Sequence, residues 1–197
     1  MHWNIPNILT TTRIVLIPFL MISFLALPAP WSNWISFAIF WIAAVTDWLD
    51  GYLARKLNQA SAFGAFLDPV ADKLMVAVAL ICILIQTPTA YFAIPVAIII
   101  GREITISALR EWMAELGKRN KVAVSILGKV KTVVQMLSIM FLLFNYQFFF
   151  LTKEHVYSIG IALLYIAAIL TILSMFSYLK AAFTSEENKS DMQAEFE

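Results

Sequence analysis

Charged side chains are scarce in this chain of 197 residues: 14% of its residues are charged, whereas 61% are hydrophobic. Soluble globular domains carry about 25% charged residues, so this composition excludes an ordinary soluble domain. Cysteine is nearly absent as well. Because Cys82 is the only one, an intramolecular disulfide is excluded. The chain is instead rich in apolar sequence, which indicates a membrane protein with a single domain.

The apolar residues form long uncharged runs at positions 14–46, 74–101, 132–152 and 155–179. A helix needs roughly 20 apolar residues to cross a bilayer. The first run is long enough for parts of two such helices, which Pro28 and Pro30 separate. The sequence therefore predicts an all-α integral membrane protein with six transmembrane helices, at about 10–27, 33–54, 65–87, 90–115, 122–147 and 156–180.

The two ends of the chain differ from this apolar part. Residues 2–8, which include Trp3 and Pro6, predict a short interfacial helix on the membrane surface. Residues 185–197 are polar and have little to bury, which predicts a disordered tail. The membrane domain is expected to span residues 1–184.

Basic residues are distributed unevenly between the predicted loops. The loops at 28–32 and 87–90 contain neither Lys nor Arg, and the loop near position 150 contains only Lys153. The other basic residues belong to the opposite side or to helices near it. Because cytoplasmic loops are enriched in Lys and Arg, both termini are expected in the cytoplasm.

Four aspartates interrupt the apolar sequence: Asp47, Asp50, Asp68 and Asp72. Acidic side chains at membrane depth are costly and mark functional sites. The first two are three residues apart and the last two are four apart, so each pair shares a helix face. Two helices joined by a short loop bring the four carboxylates together at the cytoplasmic end. Clustered carboxylates suit Mg²⁺, Mn²⁺ or Ca²⁺, and four of them suit two ions that bridge an anionic substrate.

Two residues that follow Asp50 indicate what this substrate carries. Gly51 has no side chain and would let a ligand approach the backbone closely. Arg55 lies one turn further along the same face, where its guanidinium could bind a phosphate. Metal ligands, glycine and arginine together predict a site for a pyrophosphate group.

The residues from Asp47 to Asp72 follow the spacing D-x2-D-G-x2-A-R-x8-G-x3-D-x3-D. This pattern resembles the motif of the CDP-alcohol phosphotransferase family at every position. The likeness to bacterial members of the family includes the segments 4–13, 102–115 and 124–132, and it covers nearly the whole chain except the acidic tail.

This resemblance implies an enzyme that transfers the phosphatidyl group of CDP-diacylglycerol to the sn-1 hydroxyl of glycerol 3-phosphate and releases CMP. It implies two Mg²⁺ or Mn²⁺ ions bound by Asp47, Asp50 and Asp68, with Asp72 contributing to the second ion and acting as the base. It implies that CDP-diacylglycerol is contacted by Asn7, Thr10, Gly51, Arg55 and Ser61. It further implies a homodimer in the bacterial cytoplasmic (inner) membrane, with the active site facing the cytoplasm.

Basic residues at membrane depth on the fourth and fifth predicted helices are candidates for binding the dianionic phosphate of the acceptor. They are Arg102, Arg110, Lys129 and Lys131. The two lysines could instead extend to the membrane interface, as long basic side chains do.

Other functions remain open from the residues alone. Intramembrane acids also occur in cation-coupled transporters, but these usually have two symmetric halves, and the sequence contains no such repeat. A structural ion-pair cluster would leave the four aspartates underpaired, because only Arg55 and Lys73 are expected to lie near them as cations. A sister enzyme of the same family could use inositol phosphate, serine or phosphatidylglycerol, although the basic segment favours a phosphorylated acceptor. No nucleic-acid partner is expected.

Overall fold

The computed structural model describes residues 5–57, 62–115, 126–147 and 149–194. Six helices make up most of this part of the chain: α1 (Ile5–Ala26), α2 (Trp31–Leu57), α3 (Ala62–Gln86), α4 (Ala90–Glu115), α5 (Ile126–Phe144) and α6 (Lys153–Ala194). The first five closely match the helices predicted from the apolar runs. The predicted all-α class is confirmed.

Proline and threonine mark the connections between helices. Pro28 and Pro30 lie between α1 and α2, and Pro88 lies between α3 and α4. The hydroxyl of Thr89 accepts a hydrogen bond from the backbone N–H of Phe92 at 3.3 Å, at the start of α4. This contact satisfies one of the N–H groups that the first turn of a helix leaves unpaired. The short connections make consecutive helices antiparallel.

The helices pack around a shared apolar core to which all six contribute. Its buried members include Leu20, Phe40, Leu80, Phe92, Leu142 and Leu164. The helices α5 and α6 approach closely at Gly160, where an added Cβ would lie 2.8 Å from Cδ2 of Leu142. A hydrogen bond of 2.8 Å from Ser138 Oγ to the carbonyl of Gly160 joins the same two helices. Small residues that permit such an approach are typical of helix pairs in membranes.

Three helical segments among the described residues are long and apolar enough to cross a membrane: Asn7–Ala26, Ala90–Glu115 and Lys153–Phe176. Large apolar side chains such as Phe19, Ile94 and Phe176 are more than half exposed on these segments. Soluble monomers rarely expose large contiguous apolar surfaces, whereas a lipid environment favours them. These segments indicate a membrane protein.

The predicted interfacial helix over residues 2–8 requires correction. Residues 5–8 belong to the beginning of α1, and residues 1–4 lie outside the described part of the chain. The sequence allows this continuity because Pro6 falls in the first turn of α1. The first turn does not use the backbone N–H that proline lacks.

The polar end of the chain lies partly within the last helix. The helix α6 continues to Ala194, past Ser185, where the disordered tail was predicted to begin. No glycine or proline follows Gly160 in the sequence to end this helix. The boundary between a membrane domain at 1–184 and a tail at 185–197 stays a prediction.

The antiparallel order brings one end of each of the six helices to the same end of the bundle. Five of these segments carry the predicted site: the start of α1, the end of α2, the start of α3, the end of α4 and the start of α5. The acidic and basic residues singled out from the sequence lie on these segments, so residues distant in the chain can form one site.

Candidate active site

One arginine joins three of the four predicted aspartates. Nη1 of Arg13, on α1, lies 2.8 Å from Oδ1 of Asp47 on α2. The same nitrogen donates to Oδ1 of Asp72 on α3, and Nη2 lies 3.5 Å from Oδ1 of Asp68. We call Arg13 and these three aspartates the aspartate cluster. A single guanidinium thus holds carboxylates from two helices through charge-assisted contacts.

The helical repeat explains how these residues meet. Asp68 and Asp72 are four residues apart on α3, and Thr10 and Arg13 are three apart on α1, so each pair shares a face. The helix α1 packs against both α2 and α3. Oγ1 of Thr10 donates to Oδ1 of Asp68, which adds a second link between α1 and α3.

Burial divides the cluster into a closed side and an open side. The side chain of Arg13 is 1% exposed, whereas those of Asp47, Asp68 and Asp72 are 39%, 37% and 36% exposed. A buried charge requires pairing, and the three carboxylates supply it. Together these three carboxylates and one guanidinium carry a formal excess of negative charge, and the carboxylates lie on the open side of the cluster.

The residues predicted to contact the nucleotide have different outcomes. Thr10 and Asn7 are buried on α1, and Thr10 contacts the cluster directly. The structure leaves undescribed the environment of four other predicted site residues: Asp50, Gly51, Arg55 and Ser61. Their roles stay predictions.

A cavity of about 240 Å³ lies between α3, α4 and α5. Its charged lining residues are Lys73, Arg102, Glu103, Arg110 and Lys131. We call it the basic cavity, because four of these five side chains are cationic. A water molecule takes about 30 Å³ of the liquid, so the space is large enough for a small organic phosphate. Positive charge focused in a concave space favours an anion.

Glu103 links the basic side chains of α4 and α5. Nζ of Lys131 forms an ion pair with Oε1 of Glu103, and Nη1 of Arg102 lies 3.3 Å from the same oxygen. Nη2 of Arg102 also donates to Oγ of Ser174 on α6 at 3.0 Å. The two cations are therefore held in place by three helices.

Lys73 connects the basic cavity with the aspartate cluster. It follows Asp72 directly on α3, and its Nζ donates to Oγ of Ser107 on α4. Oγ of Ser107 in turn donates to the backbone carbonyl of Glu103. Successive residues of a helix are rotated by about 100°, so Asp72 faces α1 and α2 while Lys73 faces α4. Consecutive residues of α3 therefore belong to the two sites.

Three of the four residues predicted to bind the acceptor line the basic cavity: Arg102, Arg110 and Lys131. Lys131 is 3% exposed, so this lysine does not extend to the membrane interface. Lys129 is exposed on α5 and is not part of the lining. Its predicted role in binding the acceptor is not tested by this geometry.

Comparison with known proteins identifies the family. The family model described as CDP-alcohol phosphatidyltransferase matches residues 3–179. The chain belongs to this family. It is 52% identical over 182 residues to the CDP-diacylglycerol–glycerol-3-phosphate 3-phosphatidyltransferase of Salmonella choleraesuis (strain SC-B67), which covers 92% of this chain and 96% of the relative. Proteins of the same name from Pectobacterium atrosepticum and Shigella flexneri are 53% and 51% identical over the same shares. The protein is therefore a transferase.

The structure adds three residues that the sequence did not single out as site residues. Neighbours in the sequence suggested Arg55 and Lys73 as the cations near the aspartates, whereas Arg13 contacts three of them. Arg13 is the only charged residue before Asp47, which is the feature that could have identified it. Lys73 and Glu103 each adjoin a predicted site residue, but only their contacts across helices connect them with the basic cavity.

The donor chemistry of the aspartate cluster fits a divalent cation, which the family generally uses. Carboxylate oxygens are the ligands that Mg²⁺ and Mn²⁺ prefer, and the excess negative charge of the cluster can compensate such an ion. Among the side chains that the structure describes, no three acidic, histidine or cysteine residues form a metal-binding group. Here the guanidinium of Arg13 is the cation that the three carboxylates share.

Proposed function

We propose that this protein transfers the phosphatidyl group of CDP-diacylglycerol to the sn-1 hydroxyl of glycerol 3-phosphate, giving phosphatidylglycerophosphate and CMP for phospholipid biosynthesis. The family and the names of the relatives support this activity. The structural observation that carries it is the adjacency of two sites of opposite charge. Asp72 belongs to the aspartate cluster, and the next residue, Lys73, lines the basic cavity.

The nucleotide-linked diphosphate is assigned to the aspartate cluster. Two Mg²⁺ or Mn²⁺ ions would be held there by Asp47, Asp50, Asp68 and Asp72. When bound, such ions neutralise phosphate oxygens and stabilise the charge that develops on them during transfer. Asn7 and Thr10 are assigned to CDP-diacylglycerol from the side of α1, together with Gly51, Arg55 and Ser61.

The acceptor phosphate is assigned to the basic cavity. Arg110 and Lys131 would bind the dianion, with Arg102 held beside them by Glu103. Lys129 stays a further candidate on the same helix as Lys131. An acceptor anchored here lies beside α3, which carries Asp72 at the position directly before the lining residue Lys73.

Asp72 is assigned as the base. Its carboxylate accepts the proton of the attacking hydroxyl, whose oxygen forms a bond to the phosphorus of the phosphatidyl group. The bond from this phosphorus to the bridging oxygen of CMP breaks, and CMP leaves with the electron pair. The contact between Arg13 and Oδ1 of Asp72 fixes the orientation of the carboxylate before the acceptor arrives.

The proposed setting is the bacterial cytoplasmic membrane. Six transmembrane helices with both termini and the active site on the cytoplasmic side agree with loops at 28–32 and 87–90 that lack Lys and Arg. A homodimer is proposed from the family resemblance. Membrane lipid surrounds the apolar faces of the helices.

The proposed activity is tested by measuring CMP release from CDP-diacylglycerol by the purified protein with Mg²⁺ or Mn²⁺. Release is expected only when glycerol 3-phosphate is added. Faster release with inositol phosphate or serine would contradict the acceptor and favour a sister enzyme. Absence of release with any acceptor, together with ion uptake into proteoliposomes, would favour a cation-coupled transporter.

A further inference from the structure

The basic cavity contains its own anion. Among the five charged lining residues that the structure describes, Glu103 is the single carboxylate. Its Oε1 pairs with Nζ of Lys131 and lies 3.3 Å from Nη1 of Arg102. A carboxylate therefore contacts two of the cations that an entering phosphate would need.

Burial makes this carboxylate necessary when no substrate is bound. The side chains of Lys131 and Arg102 are 4% and 9% exposed, and Glu103 is 22% exposed. Two buried cations without a nearby anion would be strongly unfavourable. Glu103 supplies that anion, and because it is attached to α4 its effective concentration at the cations is high.

The carboxylate of Glu103 does not compete equally with all ligands for these cations. A free monoanion offers the cations no more charge than Glu103 already supplies, and its binding also costs the freedom of a separate molecule. A phosphate dianion offers twice the charge and three acceptor oxygens, which suit several donors at once. The ion pairs of Glu103 therefore weaken the binding of monoanions more than the binding of dianions.

We propose that Glu103 is a specificity-determining residue, which restricts the basic cavity to dianionic, phosphorylated acceptors by competing with monoanions for Lys131 and Arg102. This inference rests on the proposed function, because it takes the basic cavity as the acceptor site. The competing role for the same position is to accept a hydrogen bond from a hydroxyl of the acceptor. The two roles predict different changes in ligand binding when the carboxylate is replaced.

The test compares wild type with Glu103→Gln, which keeps the shape and a hydrogen-bond acceptor but removes the charge. The probes are inorganic phosphate and acetate, whose binding to the detergent-solubilised protein is followed by line broadening in phosphorus and carbon NMR spectra. Glu103→Gln is expected to tighten acetate binding about fivefold or more and phosphate binding less, so that the preference for phosphate narrows. Glu111→Gln is the matched control, because Glu111 is an exposed carboxylate on the same helix outside the cavity lining.

The preference for phosphate over acetate separates specificity from folding. If Glu103 had only a structural role, Glu103→Gln would bind phosphate and acetate more weakly by the same factor and would have lower thermal stability. That result would overturn the proposal. An unchanged preference, or weaker binding of glycerol 3-phosphate with unchanged phosphate binding, would overturn it as well. The latter outcome would support a hydrogen bond to the acceptor.

A second variant covers the case in which Glu103→Gln does not fold. Glu103→Asp keeps the charge and all cations of the cavity but shortens the side chain by one methylene, which withdraws the carboxylate from Lys131, and is expected to narrow the preference by a smaller factor. An unchanged preference in this variant contradicts the role of Glu103. Because these binding measurements need no turnover, they are independent of the CMP-release assay, whose failure would contradict the proposed function itself.

Discussion

Asp72 and Lys73 are consecutive residues of α3 that belong to different sites. Asp72 bonds to Arg13 in the aspartate cluster, while Lys73 donates to Ser107 in the wall of the basic cavity. The helical rotation between neighbours turns the two side chains towards different helices. This arrangement places a carboxylate next to the site assigned to the acceptor, as a base in phosphatidyl transfer requires.

Asp72→Asn is expected to lower the turnover number about 100-fold or more, because general-base catalysis typically contributes at least that factor. Binding of CDP-diacylglycerol should largely survive, since Asp47 and Asp68 remain. The measurements are CMP release and direct nucleotide binding. Rescue of turnover by raised Mn²⁺ would show that Asp72 acts only as a metal ligand.

Arg13→Gln is expected to lower activity about 100-fold, because the cluster loses a guanidinium that contacts three of its carboxylates. Arg13→Lys keeps the charge but not the two-nitrogen geometry, so part of the activity should return. Activity of both variants is measured over a range of Mn²⁺ concentrations. Wild-type activity of Arg13→Gln at every Mn²⁺ concentration would rule out this positioning role.

Lys73→Met is expected to raise KM for glycerol 3-phosphate about tenfold, the factor that one charged hydrogen bond typically contributes. KM for CDP-diacylglycerol should change little, because Lys73 faces away from the aspartate cluster. The matched control is Lys153→Met, which removes an exposed lysine at the beginning of α6, at the opposite end of the bundle. Equal changes in both KM values would contradict the assignment of the acceptor phosphate to the basic cavity.

Removal of divalent ions with EDTA is expected to abolish CMP release, and added Mg²⁺ or Mn²⁺ should restore it. A second measurement does not depend on activity. Thermal stability of the wild-type protein should rise with Mn²⁺, because an ion that binds only the folded state stabilises it. Asp68→Asn should reduce this rise, and an identical rise in this variant would place the ion elsewhere.

Gly160→Ala is expected to destabilise the protein by about 1–3 kcal/mol, because the added Cβ would press on the buried side chain of Leu142. Gly101→Ala is the matched control. A Cβ at Gly101 would meet no atom within 4 Å, so this change should be neutral or slightly stabilising. Thermal unfolding in detergent compares the two, and equal stability would contradict the close packing of α5 on α6.

The helices themselves could be predicted from the sequence because the relevant physics is local. Apolar runs of sufficient length, with Pro28, Pro30 and Pro88 between them, determine where helices form and end. The beginning of the first helix was predicted less well, because the short segment before Thr10 has no feature that separates it from α1.

Part of the site could also be predicted from the sequence. Asp68 and Asp72 share a face of α3 because four residues make about one helical turn, and this relationship needs no knowledge of other helices. The basic residues Arg102, Arg110 and Lys131 were recognisable because charges at membrane depth are rare. Their spacing predicted the kinds of ligand but not the contacts of each side chain.

The sequence by itself determined the helical class, the acidic and basic inventory of the site and the family to which the chain belongs. Only the tertiary structure decided that Arg13 binds three aspartates, that Lys73 belongs to the basic cavity and that Glu103 pairs with Lys131. These contacts join residues of different helices, and helix propensity and periodicity contain no information about which faces pack together. That choice depends on the packing of the whole bundle.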